Sequence, residues 1–562
     1  MAWCEYPRPQ LRRSSYFSLS GEWELAFSRK REIPKVFPYQ ITVPYPPESP
    51  KAGVAAKRRR GELLYYRRRF RLPEGFHLKK TLLHFDAVDQ IATVIFNGEP
   101  LYTHEGGYLP FSVDVSAHLQ EENELVVAVV DELSHDYPYG KQRKRRGGMW
   151  YTPVSGIWQS VWMESFPEGG IYGIRIHANE KLVHIEVESD AKELFLSYFD
   201  GVETVMYSFT GGEIILKPRD RHVWSPEDPY LYRFTVRSAT DEADGYFALR
   251  RLDSRVCEDG QTRFFLNGKP YFLHGVLDQG YYPEGVYTPS EGEDYLEDVL
   301  RAKRLGFNMI RKHIKVESAL FYHYCDRVGM IVCQDAVNNG SYSFLWHTAL
   351  PTLGMKNLPS KVLSKSRRAR KIFYEHTSEM LSYLTQFPSV MLFTIFNEGW
   401  GQADAEGLYS VFKKKYPAIL FDTASGWFRT DATDMRSDHV YFKKITPNYK
   451  GEALPILLSE FGGYSLPVSG HTYPSGRNYG YARCRSSEDL TERLLRLYRE
   501  EVIPAVREGL GGAVITQLYD IEDETNGFYT YDREVLKVPK DAFAALHDEI
   551  FAALGGVREK NE

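Results

Sequence analysis

VMLFTIFNEGW (residues 390–400) is a run of seven residues, apolar except for Thr394, closed by Asn397 and Glu398. The apolar residues do not alternate with polar ones, so the run reads as a strand buried on both faces, the signature of a parallel sheet under helices. Outward from it, YFLHGVL (271–277), NMIRKH (308–313), MIVCQD (330–335), AILFDTAS (418–425), ILLSEFG (456–462) and GAVITQLYD (512–520) repeat the pattern, with DHVYF (438–442) as a weaker eighth strand. Helical segments such as GEDYLEDVLRAKRLG (292–306) and VESALFYHYCDRVG (316–329) lie between them. Eight such strands in about 300 residues predict a (β/α)8 barrel with loop insertions.

The first half of the chain reads differently. GEWELAF (21–27), TLLHFDAV (81–88), IATVIFNG (91–98) and ELVVAVV (124–130) are short, β-branched and punctuated by Gly, Pro, Asn and Asp. That spacing predicts a jelly-roll β-sandwich over 1–167. After FPEGGI (166–171), IYGIRIHA, KLVHIEVES, ELFLSYFD and LYRFTVRS predict a smaller immunoglobulin-like sandwich over 168–257, leaving 258–562 for the barrel. The 562-residue length, at roughly 150 residues per domain, agrees with three or four units.

A formal charge of −5, from 70 basic and 75 acidic side chains, argues against a general nucleic-acid binder. The basic run KQRKRR (141–146) reads as a solvated loop or as cations approaching the barrel mouth or another subunit. Five scattered cysteines (Cys4, Cys257, Cys325, Cys333, Cys484) without a CxxC pair fit a reducing cytoplasm. The N-terminal MAWCEYPRPQ has no apolar targeting core, and no apolar run reaches membrane-spanning length, so no membrane partner is expected. Aromatic residues make up 14% of the chain, with 39 Tyr, a composition suited to β cores and to sugar clefts alike.

In a (β/α)8 barrel the site lies at the C-terminal ends of the strands. Glu398 closes one apolar strand and Glu460 another, and a carboxylate there is costly unless it faces a functional mouth. Two convergent carboxylates are what glycoside hydrolysis requires: one donates a proton to the leaving oxygen, the other attacks the anomeric carbon or activates water. His274 and Asp278 near strand one, Arg311 and His313 at strand two, Asp335 at strand three, Trp400 after Glu398, His439 and Tyr441 in DHVYF and Gln517 at strand eight are further candidates to meet a sugar. Asp520 and Glu522 follow Gln517 with a partly structural reading. Tyr281, Tyr282, Tyr519 and Tyr529 also fall near strand ends.

FNEGW (396–400) and SEFGG (459–463) resemble the acid/base and nucleophile motifs of glycoside hydrolase family 2, the group of β-galactosidases, β-glucuronidases and β-mannosidases. GKQRKRRGGMWYTPVSGIWQSVWME (140–164), WSPEDPYLY (224–232) and RFFLNGKPYFLHGVLDQGYYPEG (263–285) resemble its jelly-roll, middle-domain and barrel-entry segments in the same order. The resemblance implies a retaining exo-hydrolase with Glu398 as acid/base and Glu460 as nucleophile, Asn397 beside the sugar 2-hydroxyl and Tyr441 hydrogen-bonded to Glu460. It implies a small-molecule or oligosaccharide β-glycoside as substrate, no cofactor, and a possible homo-oligomer through the β domains.

The sugar is less defined. TNGFYTYDRE (525–534) lacks the lysine of the family's Asn-x-Lys glucuronidase motif, and CQDAVNNGSY (333–342) lacks the Glu-x-His arrangement of metal-dependent members, so no catalytic Mg2+ site is inferred. LDQGYYPEG and RKHIKVE resemble a smaller β-galactosidase-like branch. Arg311, Lys312 and Lys315 nevertheless put cations near the mouth, where one can fork onto a C6 carboxylate. A β-galactoside hydrolase is the expectation, with a galacturonidase or glucuronidase as its rival, and a catalytically inactive carbohydrate-binding protein as the non-enzyme alternative.

Overall fold

Strands that are apolar on both faces need cover on both, and they find it by closing on one another inside a ring of helices. The computed structural model describes residues 3 and 5–559 apart from 55, 354, 356–365, 442, 446–448 and 450. Phe442, the last residue of the expected DHVYF strand, and Cys4 lie outside the described residues. The parallel strands are β1 (Leu273–Asp278), β2 (Met309–Lys312), β3 (Ile331–Asp335), β4 (Val390–Asn397), β5 (Leu420–Ser425), β6 (Arg436–Val440), β7 (Ile456–Gly462) and β8 (Leu510–Thr516). Their order is β5-β4-β3-β2-β1-β8-β7-β6, so β5 and β6 are the two ends of the sheet. Side chains bridge that seam: Ser425 Oγ lies 2.8 Å from His439 Nε2, and the Gly426 N–H donates to Ser437 Oγ at 3.2 Å.

The bottom of the barrel is plugged. The hairpin Leu252–Val256/Thr262–Leu266 straddles the expected 257/258 boundary and contributes Phe264 and Leu266 to an apolar cluster with Leu273, Met309, Ile331, Leu392, Leu457 and Val514. Trp224, from the WSPEDPYLY segment, joins that cluster fully buried and donates Nε1–H to the Asp326 carbonyl at 2.8 Å. The opposite end of the barrel is left open.

The N-terminal region forms a sandwich of a four-stranded sheet (16–18, 161–166, 80–85, 111–114) and a six-stranded sheet (39–43, 21–28, 63–70, 123–130, 91–96, 99–105). Residues 171–247 form a second sandwich of three and four antiparallel strands. The first sandwich shares one apolar cluster with the outside of the barrel, where Trp158 packs between Tyr108 and Tyr287 at ring distances of 5.8 and 5.1 Å. Cys257, Cys325, Cys333 and Cys484 are free thiols. No helix among the described residues is long and apolar enough to cross a membrane.

Candidate active site

Two backbone irregularities aim the carboxylates. Glu398 leaves β4 with φ +52°, a left-handed conformation uncommon outside glycine, which turns the chain at the strand end. Its N–H still reaches the Ser425 carbonyl at 3.0 Å. On β7 the register shifts between Leu458 and Phe461 against β8, and between Asp438 and His439 against β6. Glu460 sits in this bulged stretch, the kind of irregularity that redirects a side chain at a barrel rim.

Glu460 is buried, yet it is surrounded by donors. Arg311 Nη1 lies 3.1 Å from Oε1, and the Tyr441 hydroxyl donates a short bond to Oε2. Burial disfavours its charge, but His439, Arg311, His313 and the Tyr441 hydrogen bond together hold the carboxyl far below the usual carboxylate range. Burial and the neighbouring Glu460 charge push the Tyr441 phenol well up, so it remains a donor. The Tyr441 ring is fixed by stacking on Tyr481 at 3.8 Å.

Arg311 is fully buried and organises the floor. Nε pairs with Asp335 at 3.0 and 3.2 Å, Nη1 also meets the Ser459 carbonyl at 2.9 Å, and Nη2 donates to Asn397 Oδ1 at 2.8 Å. That last bond fixes the Asn397 amide with Nδ2 as its remaining donor. Asp335 also receives His313 Nδ1 at 2.6 Å, which leaves Nε2 as the other ring nitrogen. Burial lowers the His313 pKa, and that carboxylate partly offsets it.

His439 stands between the two glutamates, with Nδ1 2.9 Å from Glu398 Oε1 and Nε2 3.6 Å from Glu460 Oε1. One oxygen of each carboxylate and a His439 nitrogen all lie within 4.8 Å of one another. Two carboxylates and an imidazole are also a donor set for a divalent cation. A second such set, His471, Asp532 and Glu534, is already joined by a hydrogen bond, with His471 Nδ1 2.6 Å from Asp532.

Other expected contacts are corrected. His274 does not face the mouth: it lies at the start of β1, fully buried, with Nδ1 near the Gly306 carbonyl (3.0 Å) and Nε2 near the Tyr498 hydroxyl (3.1 Å), between the strands and the helical layer. Its position one residue into the strand, rather than at its end, decides this. Asp278 is occupied by Lys312 Nζ at 2.6 Å and the Gly280 N–H at 3.0 Å. Gln517 is tied to Gln279 and Asn526, each at 2.7 Å. Trp400 is only 3% exposed and backs a wall formed by Trp150 and Tyr342 rather than offering an open face. Tyr282 and Tyr519 both donate to Asp298, which Arg533 also binds, so these tyrosines brace the rim from outside. Tyr281 bonds the Tyr287 hydroxyl, and the Tyr529 ring lies under Arg301.

The cations on which the uronate reading rested are committed elsewhere. Lys312 bridges Asp278 and Glu317, and Lys315 donates to the Gly280 and Tyr287 carbonyls and to Glu317 at 2.5, 2.8 and 2.8 Å. Burial, partly offset by Glu317, brings Lys315 down to about 8.

Sequence reasoning left open the part played by the segment 139–152, which the structure lays across the barrel mouth. Gly140 has φ +62°, and a Cβ there would meet the Tyr108 hydroxyl at 2.9 Å and the Ile314 carbonyl at 3.0 Å, so only glycine brings the loop this close behind β2. Arg146 pairs with Glu522 and Asp523 at 3.3 and 3.2 Å, and Tyr151 donates to Glu524. KQRKRR was the signal. Tyr481, on the insertion after β7, carried none.

Two sandwiches stand in front of a plugged barrel, with two glutamates and a histidine converging at its open end. The model described as glycosyl hydrolase 2 galactose-binding domain-like matches residues 60–156, and that for the family 2 TIM barrel domain matches 258–474. The chain belongs to glycosyl hydrolase family 2. It is 26% identical over 298 residues to a β-galactosidase of Thermoanaerobacter pseudethanolicus, covering 48% of this chain and 39% of that one. It is 23% identical over 478 residues to a β-galactosidase of Photobacterium profundum, covering 78% and 42%. The chain thus spans less than half the length of these relatives. Among solved structures, a β-D-glucuronidase of Dictyoglomus thermophilum superposes with TM-score 0.74 at 18% identity over 99% of this chain and 100% of that one. A β-galacturonidase of Eisenbergiella tayi gives 0.68 at 18% over 100% of both, a likeness of fold.

Proposed function

We propose that the protein hydrolyses β-glycosides from their non-reducing end with retention of configuration. The observation that carries this reading is the approach of the Glu398 and Glu460 oxygens to within 4.8 Å. Retaining sites hold their carboxyl groups ~5–5.5 Å apart, whereas inverting sites need ~6.5–9.5 Å to admit water. Glu460 attacks the anomeric carbon as the glycosidic C–O bond breaks and the Glu398 proton passes to the leaving oxygen. Water then attacks the same carbon, giving a proton to Glu398, and the Glu460 ester bond breaks. Asn397 Nδ2 is the donor for the sugar 2-hydroxyl, and His439 and Arg311 position the two carboxylates.

A β-galactoside is the preferred substrate in this reading, supported by the names of the sequence relatives. One observation favours a hexuronide instead. Lys141, half-buried beside His313 and Glu524, forms no ion pair among the described residues, so its ammonium is available to a C6 carboxylate. Side-by-side assay of aryl β-galactoside, β-galacturonide and β-glucuronide separates the two, and a clear preference for either uronide overturns the galactosidase choice. Retention is read by following the anomeric proton of the first-formed product. The free buried thiols support a cytoplasmic setting, and assembly through the β domains belongs to the same reading.

A further inference from the structure

On the Glu398 side of the site lies a cleft of about 550 Å3, lined by Tyr139, Trp150, Tyr342, Arg143, Lys144 and Arg145 among others. Glu398 does not itself line it; the link between them runs through Trp400. Trp400, two residues after Glu398, packs edge-on against Trp150 at 4.9 Å and Tyr342 at 5.7 Å, and Trp150 meets Tyr342 at 4.8 Å. Burial raises the Tyr342 phenol, and Glu398 is near enough to add to it. The aromatic wall is rigid: the Tyr139 hydroxyl donates to the Gly340 carbonyl at 2.6 Å, and the Tyr139 N–H donates to the Asn338 carbonyl at 3.1 Å.

The charges along this wall are one-sided. Arg143 lies over the Trp150 ring at 5.2 Å, Lys144 reaches only Glu132 at 3.7 Å, and Arg145 has no ion pair among the described residues. All three are exposed at the cleft in a chain whose net charge is −5. Burial, with Arg143 and Lys144 adding to it, lowers the pKa of His135 beside them, so the cleft's imidazole is neutral near pH 7. Rings against a flat aromatic wall, with cations at its edge, suit a cyclic group that bears an acid.

We propose that this cleft is the leaving-group subsite and that it selects aglycones carrying a ring and a carboxylate. This rests on the hydrolase reading, because the leaving oxygen must depart toward the group that protonates it. The volume lies within the range of sites that enclose small ligands. The first sandwich, through residues 139–150, thus supplies selectivity for the departing half of the substrate while the barrel supplies the chemistry.

The test is calorimetric and needs no turnover. Binding of 4-hydroxybenzoate and of D-glucuronate is compared with that of phenol and D-glucose, on the wild-type chain and on Arg143→Ala/Lys144→Ala/Arg145→Ala. At low salt at least one acid should bind about fivefold or more tightly than its neutral counterpart, as several individually modest exposed charge contacts allow. The advantage should shrink at high salt and vanish in the triple variant; whichever acid prevails identifies an aryl or a sugar source. Equal binding of acids and neutral rings overturns the proposal, as does an acid preference that survives in the triple variant. Loss of turnover in Glu460→Gln bears on the hydrolase reading alone, so the two failures are distinguishable.

Discussion

His439 Nδ1 stands 2.9 Å from Glu398 Oε1 while its Nε2 faces Glu460 and Ser425, so one imidazole spans the two glutamates. Replacing it with alanine should lower kcat/KM roughly a hundredfold, the scale of losing one aligned polar group at a reacting centre. It is one of the influences holding Glu460 below the usual carboxylate range, so the acid limb of the pH profile should also move upward. An unchanged limb with reduced kcat would leave His439 with a purely steric role.

The two glutamates should separate kinetically. Glu460→Gln should abolish turnover of every glycoside, and a fluorosugar trap should label Glu460 in the unaltered protein. Glu398→Gln should lose about a hundredfold to ten-thousandfold on poor leaving groups, but far less on a dinitrophenyl glycoside, whose aglycone departs without a proton. Equal losses on both substrates would reverse the assignment of acid.

Tyr441→Phe removes a hydrogen bond to a charged carboxylate, worth about 1.5–3 kcal/mol, or roughly tenfold to a hundredfold in kcat if it serves the transition state. The sign of its pH effect follows from Glu460. A carboxyl whose folded pKa is depressed stays ionised until the pH falls through that low value, so the native acid limb lies below the ordinary Glu range. Without the phenol the limb should rise toward that range. A pH–rate series on both proteins reads the shift directly.

Arg311 is fully buried between Asp335, Asn397 and Glu460, and removing it strands two acids. Arg311→Met should destabilise the fold by about 3–5 kcal/mol in denaturant unfolding. Arg311→Lys should rescue it poorly, because a single ammonium cannot reproduce the fork.

The barrel and both glutamates were legible because a carboxylate at the end of an apolar strand has few explanations. Asn397 and Tyr441 were legible only beside them. What could not be read was pairing: Lys312 and Lys315 looked available because Glu317 follows them so closely that it reads as surface charge, and Asp278 is over thirty residues away from Lys312. Strand ends alone cannot say which residues near them point inward, and His274 shows it. The docking of residues 139–152 across the mouth depends on contacts with Ile314, Glu522 and Glu524, all well over a hundred residues distant, which no local pattern encodes.

The seam between β5 and β6 ties mechanical closure to reactivity. Ser425 and His439 cross the gap where no ladder runs among the described residues, and the same imidazole lies between the two carboxylates. The cylinder therefore has its weakest stave beside its working edge. Any swelling there, on heating or in dilute denaturant, should part Glu398 from Glu460 before the outer helices loosen, so inactivation should precede global melting.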